Sequence, residues 1–185
     1  MRWALEEKNM PKLIGVAGLG LVGLAALAGG CATPMDAPSN AIAVPLVGTS
    51  GQAVGTVRMW ETPGAVSFRV EANGLSVGRH GLHVHAVGRC DPPGFTTAGG
   101  HWNPTSRKHG TMNPDGPHGG DLPNVPVAAN GTLRETVVLN GASLAALRDA
   151  DGSALVIHAR EDDNMTDPSG NSGDRIACAV LSPAG

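Results

Sequence analysis

Tyrosine is absent from this chain of 185 residues, and only 3% of the residues are aromatic. The core must therefore be built mainly from valine, leucine, isoleucine and alanine. Basic charge is also scarce. Of the 13 basic and 16 acidic residues, 10 and 14 lie from Cys31 onward, which gives that part a net charge of −4. This balance argues against a nucleic-acid-binding surface, and the chain shows no glycine-rich phosphate loop and no internal repeat.

Histidine is missing from the first 79 residues and then becomes dense. Six of the seven histidines lie within His80–Asp121, and the seventh is His158. Neutral imidazole suits zinc and copper, and clustered histidine with a carboxylate is a metal-ligand pattern. Hydrogen-bonded structural histidines are the alternative for any one position. A metal-buffering tract would be repetitive, and this segment is not.

The spacing of two histidines predicts a shared face. His83 and His85 lie at i and i+2 in GLHVHAV, and side chains alternate along a strand. Both imidazoles should then point to one side, while Leu82 and Val84 point toward a core.

The remaining residues of this cluster follow in a segment rich in glycine, proline and asparagine. A long loop inside a compact domain is usually functional. Three histidines and one aspartate suffice for a tetrahedral zinc site; here they would be His101, His109, His118 and Asp121.

The motifs HGLHVH, GGHWNPTSRKHG, GPHGGDLPN, VIHAREDD and GNSGDRIACAV, in this order, resemble those of the copper,zinc superoxide dismutases. The resemblance covers most of residues 41–181. It implies an enzyme that converts two superoxide anions to dioxygen and hydrogen peroxide. A bound copper ion would be reduced and reoxidised in turn, and a zinc ion would be bound beside it.

The resemblance also implies the ligands. Copper would be held by His83, His85, His101 and His158. Zinc would be held by His101, His109, His118 and Asp121. His101 would bridge the two metals as an imidazolate and take part in catalysis.

Further roles carry over by motif. Asp162 would hydrogen-bond one copper and one zinc histidine, which fixes ligand orientation. Arg175 would lie beside copper as a catalytic residue that binds the anion, while Arg160 and Ser169 would line the substrate channel. His80 matches a position that is not a ligand, so a structural role is expected.

One residue departs from the family pattern, and one pair of cysteines matches it. Asp174 stands before Arg175 where small residues are usual, and its charge could weaken anion attraction. The resemblance pairs Cys90 with Cys178 in a disulfide, which implies an oxidising compartment.

Short alternating segments predict an all-β fold. In VSFRVEA, Val66, Phe68 and Val70 alternate with polar residues, as in a half-buried antiparallel strand. Similar segments are VGTVRMWE, TLRETVVL, ALVIHA and RIACAVL. We expect an eight-stranded antiparallel Greek-key β-sandwich or barrel with long metal-binding and electrostatic loops. SLAALRDA should form a helical turn with Ser143 as a possible N-cap.

The N-terminus predicts export. A basic segment and then an apolar run of signal-peptide length occupy residues 1–30, ending in AGGC. This resembles a bacterial lipoprotein signal with Cys31 as the lipidated first residue, and ordinary secretory cleavage near Ala32 is the alternative. Residues 31–40 would form a flexible tether and residues 41–185 the enzyme domain. The expected location is the periplasm or the cell-envelope membrane, with the lipid anchor as the membrane contact.

Two other function classes stay open. One is a metal-binding module of the same fold without dismutase activity, and the other is a structural surface lipoprotein. The full ligand set and Arg175 favour the enzyme. A homodimer is compatible with the sequence, which does not fix the oligomeric state.

Overall fold

Aliphatic and β-branched segments separated by glycine-containing turns form nine strands in the computed structural model, which describes residues 36–185. The strands are β1 Ile42–Gly48, β2 Ala53–Thr62, β3 Ala65–Ala72, β4 Gly78–His80, β5 Leu82–His85, β6 Val125–Val127, β7 Leu133–Asn140, β8 Ser153–His158 and β9 Arg175–Ser182. The predicted signal segment and Cys31 lie outside the described residues. Among residues 36–185, no helix is long and apolar enough to cross a membrane.

Seven strands form one antiparallel sheet in the order β5-β8-β9-β1-β2-β3-β7, and β4 pairs with β6 in a second, small sheet. Several neighbours in the large sheet are distant in sequence, as in Greek-key connections. The predicted all-β antiparallel fold is confirmed. The strand count is nine because two three-residue strands pair apart from the main sheet.

The core is aliphatic, as the composition requires. Phe68, Leu46 and Leu155 are fully buried in one cluster, which also contains Leu82 and Val84 from β5. Replacing Phe68 by alanine would cost about 3–5 kcal/mol. The burial of Leu82 and Val84 in this cluster confirms the prediction that these two side chains of the H-x-H strand face the core.

Strand β3 is buried on both faces, so the prediction of a half-buried strand is wrong there. Ser67 is 1% exposed and Arg69 is 6% exposed. Ser67 lies opposite Trp60 on β2, and Arg69 donates a hydrogen bond to Thr136 Oγ1 at 3.2 Å. Because β3 lies between two other strands, neighbouring side chains cover its second face.

Two shorter features match the sequence. In SLAALRDA, a 3-10 turn spans Ala146–Arg148, and the Ala146 N–H donates to the Ser143 hydroxyl at 3.1 Å. Cys90 and Cys178 form a disulfide with Cα atoms 5.7 Å apart. It joins the start of the long β5–β6 loop to β9.

Candidate metal centre

Strand pairing brings the separate histidine motifs together. β5 pairs with β8, whose last residue is His158. The β5–β6 loop returns to β5 at two isolated bridges, His85 with His101 and His83 with Asp121. β9 begins with Arg175 directly opposite His158. Residues far apart in sequence therefore lie around the end of one strand pair.

The first cluster contains four histidines, each with a buried and unpaired ring nitrogen. The ligand atoms all lie within 4.8 Å of one another, and they belong to His83, His85, His101 and His158. The Nδ1 of His83 and the Nε2 of the other three have no hydrogen-bond partner among residues 36–185. Buried polar atoms are nearly always paired. Four unpaired imidazole nitrogens in one place fit a copper ion.

The opposite ring nitrogens of three of these residues are held by the protein. His83 Nε2 lies 2.7 Å from Asp162 Oδ2. His85 Nδ1 donates to Gly99 O at 2.9 Å, and His158 Nδ1 donates to Gly173 O at 3.0 Å. Because these oxygens accept hydrogen, the lone pair stays on the nitrogen that faces the cluster.

The second cluster surrounds Asp121 Oδ1. This oxygen lies 2.9 Å from His101 Nδ1, 3.0 Å from His109 Nδ1 and 3.3 Å from His118 Nδ1. His83 also approaches this group, but its Nε2 is bonded to Asp162 and its Nδ1 faces the first cluster. His118 is therefore the better fourth member. Three imidazoles and one carboxylate fit zinc.

His101 belongs to both clusters through its two nitrogens. Nδ1 faces Asp121 and His118, while Nε2 is one of the four unpaired nitrogens. Its ring stacks on that of His83 with centroids 4.0 Å apart. The two nitrogens of His101 thus face different clusters, and its bridging role stays a prediction.

Burial lowers the pKa of all four histidines of the first cluster and so favours their neutral form. It lowers the pKa of His101 to about 4, against the hydrogen bond to Asp121, and that of His158 to about 3. Neutral imidazole is the form that binds metal.

Asp121 and His109 in the second cluster are charged instead. Burial raises the pKa of Asp121, but hydrogen bonds from His101 and His109 outweigh it and hold this pKa well below the usual range. Burial lowers the pKa of His109, yet hydrogen bonds to Asp121 and Asp162 raise it to about 9. Metal binding at His109 Nδ1 must therefore release a proton.

Asp162 links the clusters through its two oxygens. It is 2% exposed, and its Oδ1 lies 3.0 Å from His109 Nε2 while Oδ2 bonds His83. Asn124 bonds the backbone of Asp162 twice, at 2.8 Å each. Asp162 therefore contacts one predicted copper histidine and one predicted zinc histidine, and its role in orienting them stays a prediction. Asn124 was missed, and its place at the end of GPHGGDLPN was the available signal.

A cavity of about 430 Å³ opens onto the first cluster. Arg175 and Ser169 line it, as does Asn103, which was not predicted. The Arg175 guanidinium donates to Phe95 O and Gly99 O, both at 2.7 Å.

Three further residues singled out in the sequence are not part of this cavity lining: Arg160, Asp174 and His80. Arg160 packs against Gly173: a Cβ added to Gly173 would lie 2.9 Å from the Nε of Arg160. Gly173 itself lines the cavity. Asp174 is exposed. The ring nitrogens of His80 lie 2.7 Å from His158 O and 2.9 Å from Ser76 O. His80 is thus outside both clusters and supports the backbone of β8.

Comparisons with known proteins agree with this geometry. The family described as copper/zinc superoxide dismutase matches residues 53–181. Superoxide dismutase (Cu-Zn) 1 of Aquifex aeolicus is 39% identical over 142 residues, covering 74% of this chain and 84% of that protein. The crystal structure of the P104H mutant of an SOD-like protein from Bacillus subtilis has a TM-score of 0.73 and 39% identity, covering 76% of this chain and 97% of that one. The Cu/Zn superoxide dismutase from Brucella abortus has a TM-score of 0.64 and 33% identity, covering 76% and 99%.

Proposed function

This chain belongs to the copper/zinc superoxide dismutase family, an oxidoreductase family that binds both metals, and we propose a specific ligand set for each metal. The copper ligands are His83, His85, His101 and His158. The zinc ligands are His101, His109, His118 and Asp121.

One observation carries this proposal. Four buried imidazole nitrogens converge without a hydrogen-bond partner among residues 36–185, and one of their rings offers its second nitrogen to a carboxylate cluster. Leaving such groups unpaired costs about 1–3 kcal/mol each. Metal ligation accounts for all four together.

The protein's contribution follows from the same contacts. Copper, when bound, supplies the exchange of one electron with each of two superoxide anions. His101 lines the cavity, so its Nε2, when not bound to copper, would hold one of the two protons that hydrogen peroxide requires, and solvent water would supply the other. Asp162 keeps the rings of His83 and His109 in place from the side away from the metals.

Arg175 supplies the anion contact. Its hydrogen bonds to Phe95 O and Gly99 O fix the guanidinium at the cavity, and arginine has further N–H groups free for a small anion. Ser169 adds a hydroxyl to the same lining. Arg160 acts from behind Gly173 as a source of positive potential at the channel.

The proposal extends to location. Residues 1–30 are a signal peptide, Cys31 carries a lipid, and residues 31–40 tether the enzyme domain of residues 41–185 to the cell envelope. The enzyme then protects the envelope or periplasm against superoxide. The Cys90–Cys178 disulfide supports an oxidising compartment. Sedimentation of residues 41–185 would decide between a monomer and a homodimer.

Metal analysis tests the ligand assignment. Purified residues 41–185 should bind one copper and one zinc per chain and show dismutase activity. His109→Ala and Asp121→Ala should lose zinc and hold copper more weakly. Asp115→Ala is the matched control, because Asp115 is an exposed acid in the same loop, paired with Lys108 at 3.4 Å.

The outcomes separate the candidate functions. Full zinc in both variants would overturn the zinc assignment. Both metals bound without dismutase activity would support the metal-binding module instead.

A further inference from the structure

The second ring nitrogen of nearly every proposed ligand has a protein partner. Asp162 serves His83 and His109, backbone carbonyls serve His85 and His158, and His101 uses both nitrogens in the clusters. Ligating histidines nearly always donate the other N–H to a carboxylate, carbonyl or water. His118 is the remaining histidine among the proposed ligands.

Asp167 is the acid placed for this role. Its Oδ1 lies 3.7 Å from His118 Nε2, which is beyond hydrogen-bond length but within ion-pair range. The same oxygen accepts the backbone N–H of His109 at 2.7 Å. One oxygen of the half-exposed Asp167 side chain therefore bonds the backbone of one proposed zinc ligand and lies near the ring of another.

The tautomer of His118 makes this contact directional. Its Nδ1 faces Asp121 and His101. When Nδ1 gives its lone pair to a metal, Nε2 must carry the hydrogen. That N–H then lies on the nitrogen 3.7 Å from Asp167 Oδ1.

We propose that Asp167 is a positioning residue for zinc, orienting His118 through its Nε2–H and holding the backbone of His109. The proposal rests on the zinc-ligand set proposed above. Asp167 belongs to the β8–β9 loop, which also carries Ser169 at the cavity. Zinc binding would thereby be coupled to the loop that lines the substrate channel.

Two variants separate the two contacts. Asp167→Ala removes both. Asp167→Asn keeps an oxygen for the His109 N–H but loses the charge facing His118. Asp174→Asn is the control for zinc affinity, because it removes the same charge from the same loop and Asp174 is exposed.

Zinc affinity is measured on residues 41–185 by competition with a chelator. Outer partners of metal ligands typically contribute about 10–100-fold in affinity, so Asp167→Ala should bind zinc at least about tenfold more weakly. Asp167→Asn should also lose affinity, and Asp174→Asn should not. Cobalt(II), bound in place of zinc, should show visible bands altered in both Asp167 variants, which a merely structural role would not produce.

Three results are decisive. Wild-type affinity and cobalt bands in Asp167→Asn, with a loss only in Asp167→Ala, would reduce Asp167 to a backbone cap and overturn the His118 role. Wild-type behaviour in both would overturn the proposal entirely. Full zinc in His109→Ala would instead mean that the zinc-ligand set itself is wrong.

Discussion

Opening the Cys90–Cys178 link should destabilise the domain by a calculable amount. The bonded residues are 88 positions apart. In the loop-entropy relation, a closed loop of this length restricts the unfolded chain by about 4–5 kcal/mol. For a domain of this size, each kcal/mol shifts the unfolding temperature by about 2–4 °C. The double variant Cys90→Ser, Cys178→Ser should therefore unfold roughly 10–20 °C lower.

The same change should disturb Arg175, the residue proposed to bind the substrate anion. The segment that follows Cys90 supplies Phe95 O and Gly99 O, the two acceptors of Arg175. Cys178 and Phe95 belong to the same smaller buried cluster. Releasing the bond lets this segment move relative to β9, where Arg175 is located. Activity per bound copper should fall by about tenfold or more, the scale of local electrostatic steering.

Unfolding should be measured on the metal-free domain, because bound metal adds its own stabilisation. Urea titration and thermal scans of the double variant and of wild type give the two stabilities. Wild type reduced with a thiol is the matched comparison, since it loses the bond without changing the sequence. Dismutase rates are then divided by copper content.

Two results would refute the reasoning. A loss of less than about 1 kcal/mol would mean that the unfolded chain is not restricted by loop closure as the relation assumes. The expected loss of stability with unchanged activity per copper would mean that the hydrogen bonds alone hold Arg175.

Three further predictions concern charge, anchoring and pH. Arg175→Ile should lower turnover strongly at unchanged metal content, while Arg160→Glu should lower it modestly and flatten its fall with ionic strength, because charges are screened over about 8 Å at physiological salt; wild-type activity that rises with salt would contradict steering. Cys31→Ser should move the full-length protein from the membrane to the soluble fraction, and a mature chain that starts after Cys31 by mass spectrometry would indicate simple secretion. The metal-free domain should lose stability as pH falls from about 6.5 toward 4, by up to about 1.4 kcal/mol per pH unit for each affected histidine. Burial lowers the pKa of His101 to about 4 and of His158 to about 3, so the unfolded chain takes up protons that the folded chain does not. A urea midpoint equal at pH 6.5 and pH 4.5 would contradict this; the comparison starts at pH 6.5 because His109, whose pKa is raised to about 9, adds stability as pH falls toward 6.5.

Residue type and short-range spacing were enough to predict the strand that carries His83 and His85. Alternation in LHVH puts His83 and His85 on one face and Leu82 on the other, and the structure confirms both. The family, the all-β fold and the disulfide were likewise predictable, because each depends on a local motif or on its order along the chain. The roles of Cys31 and of the ligand residues remain predictions.

Long-range geometry was decided by the tertiary structure alone. In the sequence, Asp167 is only one acid among several in a loop. The sequence also predicts that Arg160 lines the substrate channel, although Arg160 is not part of the cavity lining. Packing put Asp167 against His109 and near His118, and it put Arg160 behind Gly173. The physical reason is that periodicity specifies which face a strand residue occupies. The path of a long loop instead depends on contacts between segments dozens of residues apart, and no local pattern encodes those contacts.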